Sequence, residues 1–145
     1  MSPARASRQK AVKEIVRSRK LRTQGELAQA LSERGFTVAQ ATVSRDIATL
    51  ELRKGPDGSY VLAEDLRFQS LVEAAVVETR RAGNQLVVIT TPGSAPSVAA
   101  SIDAMQPDGV LATVAGDDTV LVIGVDEAGA EAFQARVDTL IVDVR

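Results

Sequence analysis

The spacing of apolar residues changes near residue 63, and this change limits what the chain can fold into. Up to that point, apolar residues recur at helical spacing in three segments, and the signal for a hairpin follows them. Beyond it lie three continuous apolar runs, which are typical of strands that are covered on both faces. The 145 residues are enough for two small domains. We therefore predict an α+β chain with domains at residues 1–63 and 70–145 and a linker at residues 64–69.

The first domain has the element order of a winged helix-turn-helix. Thr23 and Glu26 have the spacing of a capping box, in which each residue satisfies a free backbone N–H of the other, and they mark the start of the second helix. Gly35 marks the end of that helix. The turn at residues 55–58 is rich in glycine, proline and aspartate and joins the two strands of a hairpin. The predicted helices are residues 8–17, 23–34 and 40–50, and the predicted strands are residues 51–54 and 59–62.

The third helix has a face that suits the major groove of DNA. Val43, Ile47 and Leu50 form its core stripe. The opposite side carries small or hydrogen-bonding side chains and one arginine, which can enter the groove and present donors to base edges and phosphates. From this helix alone, a solvated face without a partner is the alternative. The residues of this face are Gln40, Ala41, Thr42, Ser44, Arg45, Ala48 and Thr49.

Charge is also divided between the two halves of the chain. The net charge of −2 combines 13 basic and eight acidic residues through Arg67, a net +5, with four basic and 11 acidic residues beyond it, a net −7. The basic half favours nucleic acid as a partner, which the charge of the whole chain would not. Arg53 and Lys54, at the base of the wing, suit phosphate contacts that position a domain without reading sequence. We therefore predict double-stranded DNA as a partner of the first domain.

The second half predicts a small α+β domain in the order α-β-α-β-β-α. Apolar residues at helical spacing from Phe68 to Thr79 predict one helix that ends at Gly83. Pro96 occupies the place of a first-turn proline in the next helix. Residues 140–144 fit either a strand or an extension of the last helix. The other predicted elements are strands at residues 86–89, 110–115 and 120–125, a helix that runs through Met105 and a last helix at residues 127–138.

The continuous apolar strands also indicate self-association. Such runs imply cover on both faces of the sheet, yet the two or three predicted helices are enough for about one face. A second copy of the same domain is the simplest cover for the other face. We therefore predict a homo-oligomer, although the pattern does not give the number of subunits. A purely structural oligomer with an incidental basic arm is an alternative to a DNA-binding protein.

An acidic turn separates the last two predicted strands. Asp117 and Asp118 lie within residues 116–119, and a Gly-Asp-Asp sequence between strands is ordinary hairpin chemistry. Alternatively, the two adjacent carboxylates repel each other, and a cationic ligand would relieve that repulsion. A guanidinium or ammonium group fits this turn better than a metal ion, which would need more converging oxygen ligands.

The composition excludes much of enzyme chemistry. The chain contains no histidine and no cysteine, so it lacks the usual general base, the thiolate nucleophile and the commonest metal ligands. A metal-dependent hydrolase built on Asp117 and Asp118 is the enzymatic alternative, but no third carboxylate stands at ligand spacing nearby. We predict a protein that is not an enzyme and binds no metal. The absence of a long apolar run and of a signal peptide predicts a cytoplasmic protein without a membrane partner.

Four segments together resemble the bacterial arginine repressor family. They are TVAQATVSRDI at residues 37–47, GSY at 58–60, TPG at 91–93 and VAGDDT at 114–119. The resemblance spans residues 8–138, and its two main motifs lie in different domains. It implies a winged helix-turn-helix regulator whose C-terminal domain assembles as two stacked trimers, a hexamer, with L-arginine bound between subunits as corepressor. Members of this family repress arginine biosynthesis genes from paired palindromic operators, and some also activate catabolic genes.

The resemblance extends to individual site residues, with two departures. Pro96 stands where many members have a glutamine that contributes to the arginine site, and Ala112 stands where a glycine is usual. The alternative function is therefore a regulator of the same architecture that responds to a different amino acid or to no effector. The matching residues are Ser44 and Arg45 as DNA contacts, Gln40 and Thr42 as their neighbours, and Asp117 and Asp118 as the acidic pair that holds L-arginine.

Overall fold

A computed structural model describes residues 2–142 of the chain. These residues divide into two compact units, one that ends at residue 63 and one that begins at residue 64. Each unit combines helices with antiparallel strands, which confirms the α+β fold class. Each also has an apolar core of its own, so we describe the two units separately.

The first unit has the predicted order of three helices and a hairpin. Val12, Leu27, Leu31 and Val43 from the helices and Leu62 from the hairpin lie in its core, and each is at most 1 % exposed. Because the hairpin shares one core with the helices, it forms the wing of a helix-turn-helix fold. The elements are α1 (Pro3–Ser18), α2 (Gln24–Glu33), α3 (Gln40–Thr49), β1 (Leu52–Lys54) and β2 (Tyr60–Leu62).

Helix α1 begins earlier than the apolar spacing predicts. The predicted helix starts at residue 8, whereas α1 starts at Pro3. The side chain of Ser2 caps it, because its Oγ accepts a hydrogen bond from the backbone N–H of Arg5 at 3.2 Å. Proline is favoured at the first helical position, where no backbone N–H is needed. Polar capping therefore extends α1 beyond its apolar stripe.

The predicted cap of α2 forms in the structure. The Oγ1 of Thr23 accepts from the backbone N–H of Glu26 at 3.1 Å, as the capping box requires. The carboxylate of Glu26 accepts from the N–H of Arg22 at 2.6 Å. Hydrogen bonds from the backbone of Arg22 and of Thr23 lower the pKa of Glu26, so the reciprocal half of the box also includes the residue before it. Gly35 follows the helix with a φ of +87°, which is the conformation expected at its end.

The second unit is a four-stranded antiparallel sheet with three helices. Its strand order is β3-β4-β6-β5, so β4 and β6 are the central strands. A hairpin turn joins β5 to β6, and the chain passes through one helix between β4 and β5. The elements are α4 (Ala63–Ala75), β3 (Val76–Ala82), β4 (Gln85–Thr90), α5 (Ala95–Met105), β5 (Val110–Ala115), β6 (Thr119–Gly124) and α6 (Glu127–Val142).

The prediction of one helix that ends at Gly83 is wrong beyond Ala75. The chain leaves α4 there, and Val76 begins β3, in which Thr79 lies opposite Val88 of β4. Gly83, with a φ of +59°, lies in the turn that joins these two strands. The β-branched residues at the start of β3 favour a strand, and the strand that pairs with them lies further along the chain. The observed order of the second unit is therefore α-β-β-α-β-β-α.

The start of α4 and the end of α6 differ from or extend what the sequence predicts. Residues 64–69, predicted as a linker, lie in α4, and Glu64 and Asp65 occupy its first turn. Acidic side chains there are stabilised by the positive end of the helix dipole. Helix α6 continues to Val142, so residues 140–142 extend the last helix. Residues 143 and 144 lie outside the described residues.

Within residues 2–142, helices cover only one face of the four-stranded sheet. That face carries Leu86, Val88, Val120 and Val122, which pack with α5 and α6 and are each at most 1 % exposed. The opposite face, called the open face below, also carries Val114, which is 60 % exposed. The helices thus cover about one face, as predicted. The half-buried apolar residues of the open face are Val87, Ile89, Leu121 and Ile123.

Candidate DNA-binding surface and effector site

Helix α3 presents the predicted DNA contacts to solvent. Val43 is only 1 % exposed, and it holds the helix against the core. Helical spacing then turns Thr42, Ser44 and Arg45 away from the core, and Gln40 lies in the first turn. Gln40, Ser44 and Arg45 are exposed, and Thr42 is half-buried. The structure therefore brings these four side chains to the exposed surface of one helix.

The side chain of Arg45 is suited to bind a base edge. Its Nη2 lies 3.5 Å from the Oγ1 of Thr42, which is beyond the usual length of an N–H···O hydrogen bond. A guanidinium has five N–H donors, so one long contact leaves most of them for another partner. Arginine binds the two acceptors of guanine in the major groove with two parallel hydrogen bonds.

The two predicted phosphate contacts on the wing have different surroundings in the structure. Arg53 is exposed on β1. Lys54 is also exposed, but its ammonium donates a hydrogen bond to the backbone carbonyl of Arg22. The same ammonium lies 4.0 Å from the centre of the Tyr60 ring, within the range of a cation–π interaction. Lys54 therefore ties the wing to the segment before α2, whereas Arg53 has the freer side chain for a phosphate.

Asp57 holds the tip of the wing. Its Oδ1 accepts hydrogen bonds from the backbone N–H of Ser59 at 3.0 Å and from the Ser59 hydroxyl at 2.5 Å. These two hydrogen bonds lower the pKa of Asp57 to about 2. The Nζ of Lys20 lies 3.4 Å from the other carboxylate oxygen. Contacts within the unit thus fix the wing at both its tip and its base.

Asp46, which follows Arg45, is a residue that sequence reasoning missed. It is 2 % exposed and accepts hydrogen bonds from Arg8 and Gln9 of α1. The sequence contained a signal, because Asp46 lies three residues after Val43 and therefore within the apolar stripe of α3. An acidic residue in such a stripe needs a buried partner.

Two turns meet at one end of the sheet in the second unit. The Oδ2 of Asp117, in the β5–β6 turn, accepts from the backbone N–H of Gly93 at 3.2 Å. The backbone carbonyl of Asp117 accepts from the N–H of Ala95 at 3.1 Å, and that of Asp118 accepts from the N–H of Thr90 at 2.7 Å. The structure thus brings together the Thr-Pro-Gly and Gly-Asp-Asp segments, which lie more than 20 residues apart in the sequence.

The carboxylates of the acidic turn are available to a ligand. Asp117 and Asp118 are both exposed, and the Oδ1 of Asp118 accepts from the hydroxyl of Thr119 at 3.1 Å. Within residues 2–142, neither aspartate forms an ion pair with a lysine or arginine. Pro96 is exposed in the first turn of α5, close in sequence to this site. Two adjacent negative charges therefore face solvent without a positive partner.

Neither a metal centre nor a membrane-spanning helix is found in the described part of the chain. Among the described residues, no group of three or more His, Cys, Asp or Glu side chains could hold a metal ion. No helix in residues 2–142 is both long and apolar enough to cross a bilayer.

Comparison with known proteins matches both halves of the chain to one family. The arginine repressor DNA binding domain matches residues 4–68. The arginine repressor C-terminal domain matches residues 72–139. The two matches occur in the order of the two structural units, and together they span most of the chain.

Curated relatives extend this similarity over whole proteins. The arginine repressor of Staphylococcus epidermidis is 38 % identical over 96 % of this chain and 99 % of the relative. That of an Anaeromyxobacter species is 42 % identical over 92 % of this chain and 87 % of the relative. That of Thermus thermophilus is 40 % identical over 97 % of this chain and 93 % of the relative. The matched family consists of DNA-binding repressors, which confirms the prediction that the protein is not an enzyme. From the two domain matches and these relatives, the chain belongs to the arginine repressor family.

Proposed function

We propose that this protein is an L-arginine-responsive transcriptional repressor of arginine biosynthesis genes. Its first unit binds operator DNA, and its second unit holds L-arginine between subunits as a corepressor. The observation that carries this proposal is the presence, in one chain, of an exposed recognition face on α3 and an exposed acidic turn at Asp117 and Asp118. A repressor of bacterial genes acts in the cytoplasm, where the DNA lies.

The DNA contacts divide into those that read bases and those that position the domain. Ser44 and Arg45 are exposed on α3 and offer hydrogen bonds to base edges in the major groove. Gln40 and Thr42 flank them and contact the same site. Arg53 on the wing binds a phosphate and so sets the register of the domain without reading sequence.

The acidic turn has the chemistry to bind L-arginine. A guanidinium pairs with a carboxylate through two parallel hydrogen bonds, and the α-ammonium group pairs with a second carboxylate. Asp117 is held by the N–H of Gly93, so one carboxylate is oriented before the ligand arrives. Asp118 is exposed, and its turn does not enclose a ligand. A second subunit therefore completes the pocket, which makes ligand binding and assembly interdependent.

The open face of the sheet supports the assembly that this pocket requires. Four half-buried apolar residues and the 60 % exposed Val114 lie on it, and exposed apolar surface of this kind marks an interface. In the hexamer that we propose, two trimers stack and place six winged units around one core. Several units then contact neighbouring half-sites at once, so avidity strengthens the binding of each small domain.

The proposal is tested by DNA binding with and without L-arginine. A mobility-shift titration uses a promoter fragment from an arginine biosynthesis gene, and we expect L-arginine to tighten the complex. Asp118→Asn should remove this dependence and leave ligand-free oligomers intact. Asp108→Asn, which neutralises an exposed acid in the turn before β5, is the matched control and should respond to L-arginine like the unaltered protein. Unchanged arginine dependence in Asp118→Asn would refute the assignment of the pocket.

The alternative function, with a different effector or none, is favoured by Pro96. This residue has no side-chain donor or acceptor, whereas many family members have a glutamine at the position. Calorimetric titration with each amino acid separates the two functions, because the proposal requires heat from L-arginine. Pro96→Gln should increase the affinity for L-arginine if the rest of the pocket is intact. Binding of another amino acid in place of L-arginine would support the alternative.

A further inference from the structure

A buried ion pair joins the recognition helix to α1. The Nε of Arg8 donates to the Oδ2 of Asp46 at 2.6 Å, and its Nη2 donates to the Oδ1 at 3.0 Å. The Nε2 of Gln9 donates to the same Oδ1 at 3.2 Å. The side chains of Arg8 and Asp46 are 15 % and 3 % exposed. Donors from α1 thus occupy both oxygens of a carboxylate in the middle of α3, in the two-pronged geometry that arginine forms best.

The charges of this pair are stable at physiological pH. Burial by itself raises the pKa of Asp46, but the hydrogen bonds from Arg8 and Gln9, together with the positive charge of Arg8, hold that pKa below its ordinary value. The hydrogen bond to Asp46 in turn raises the pKa of Arg8. Both groups therefore stay charged near neutral pH, and the contact is lost only in acid.

Only part of the apolar stripe of α3 is fully buried. Val43 is fully buried in its stripe, whereas Ile47 and Leu50 are only half-buried. Apolar contact has no directional preference, whereas a two-pronged hydrogen-bonded pair fixes one orientation. Asp46 is adjacent to Arg45 in the sequence, so the directional contact acts beside the residue that faces the bases.

A small rotation of α3 would matter for base reading. Side chains extend about 5–6 Å from a helix axis, so a rotation of about 10° moves their atoms by about 1 Å. Binding sites need their groups held within about 0.5 Å of the productive position. A pair that prevents such a rotation therefore affects the reading of bases more than the general attraction to phosphates, which tolerates displacement.

We propose that Asp46, held by Arg8 and Gln9, is a positioning residue that fixes the rotation of α3 and thereby sets the sequence selectivity of DNA binding. Arg8 acts through Asp46 and contributes no phosphate contact. The inference rests on the DNA-binding surface of the proposed function, and it adds residues that are themselves outside that surface.

The experiment measures selectivity with the full-length protein. With L-arginine present throughout, the unaltered protein selects a duplex from a randomised pool, and a shuffled duplex of the same length and composition serves as non-specific DNA. If the unaltered protein selects no sequence, the proposed function is refuted independently of the variants. The affinities of each variant for the selected and shuffled duplexes are then measured over a range of salt concentrations.

Arg8→Lys and Arg8→Gln are the central variants. Lysine keeps the positive charge but cannot form the two-pronged contact, and glutamine removes the charge. We expect both to lower the affinity for the selected duplex by about 10- to 100-fold, the range of one base contact. For the shuffled duplex, we expect unchanged affinity and an unchanged salt dependence. If Arg8 instead bound a phosphate, Arg8→Gln would weaken both duplexes alike and lower the slope of log K against log salt by about one.

The control is an exposed ion pair in the same unit. The Nη1 of Arg34 lies 2.6 Å from the Oε2 of Glu14, and the two side chains are 43 % and 51 % exposed. Arg34→Lys makes the same chemical change away from α3, and it should leave selectivity unchanged. Circular dichroism melts identify a temperature at which each variant is folded, so lost selectivity is not confused with unfolding. Asp46→Asn is a further variant, and Arg8→Lys decides the question if Asp46→Asn does not fold. A folded Arg8→Lys protein with full selectivity, or with equal losses on both duplexes, overturns the proposal.

Discussion

Gly129→Ala should destabilise the second unit, because α6 crosses the turn before β5 with backbone against backbone. A Cβ at residue 129 would lie 2.6 Å from the carbonyl oxygen of Gly109 and 3.0 Å from its Cα. Both neighbours are backbone atoms, so they cannot turn aside as a flexible side chain could. The reverse substitution, Gly109→Ala, would meet the Cα of Gly129 at 2.8 Å, and it would also be strained because φ at Gly109 is +81°.

The expected loss follows from two opposing contributions. Alanine is favoured over glycine within a helix by about 0.5–1 kcal/mol. Forcing extra volume into a packed contact costs about 1–3 kcal/mol, and more where the neighbours cannot shift. Because backbone atoms lie on both sides, we expect the clash to outweigh the higher helix propensity of alanine. The free energy of unfolding should then fall by about 2 kcal/mol. For a unit of this size, that lowers the melting temperature by roughly 10 °C.

The assay is urea and thermal unfolding followed by circular dichroism at one fixed protein concentration, because the stability of an oligomer depends on concentration. Gly25→Ala in the first turn of α2 is the matched control. Its Cβ would meet the Oγ1 of Thr23 at 3.8 Å, an ordinary contact, so the reduced entropy of the unfolded chain should raise stability by about 0.4–1 kcal/mol. If Gly129→Ala were as stable as the unaltered protein, the close crossing of Gly109 and Gly129 would not exist in solution.

Four further variants test the DNA-binding unit. The pKa of Asp46 is lower in the folded state than in the unfolded chain. Its contribution to stability is therefore present above its unfolded pKa of about 3.9 and is lost as pH falls through the folded value. Acid unfolding of Asp46→Asn should lack this pH-dependent loss of stability. Arg45→Ala should weaken binding to operator DNA by about 1–3 kcal/mol and binding to random DNA much less, and equal losses in a mobility-shift assay would make Arg45 a phosphate contact. Arg53→Ala should weaken binding to both DNAs and reduce the salt slope by about one, whereas Lys54→Ala should mainly lower the melting temperature, because its ammonium contacts Arg22 and Tyr60.

Local patterns were sufficient for much of the first unit. The capping position of Thr23, the stop at Gly35 and the stripe through Val43 depend on residues within a few positions of one another, and all three occur in the structure. The exposed face of α3 follows from the same spacing, because a helix places residues on its surface by a fixed rotation. Arg45 could therefore be placed on the exposed side of α3 without knowledge of the fold.

The same kind of pattern failed where two local structures compete. Val76 and Thr79 continue the helical spacing of α4, yet they lie in β3. Their strand is stabilised by pairing with β4, in which Thr79 lies opposite Val88. Spacing within one segment does not contain that partner, and β propensity depends strongly on what lies across the sheet.

For this protein, the sequence by itself determined the order of elements in the DNA-binding unit, the exposed face of α3 and the chemistry of the acidic turn. Only the tertiary structure decided that Arg8 pairs with Asp46, that Lys54 of the wing binds the carbonyl of Arg22, and that Asp117 accepts a hydrogen bond from Gly93. The physical reason is distance along the chain. Helical periodicity and capping act between neighbours, whereas these hydrogen bonds join residues 38, 32 and 24 positions apart. Only the packing within each unit brings such residues together.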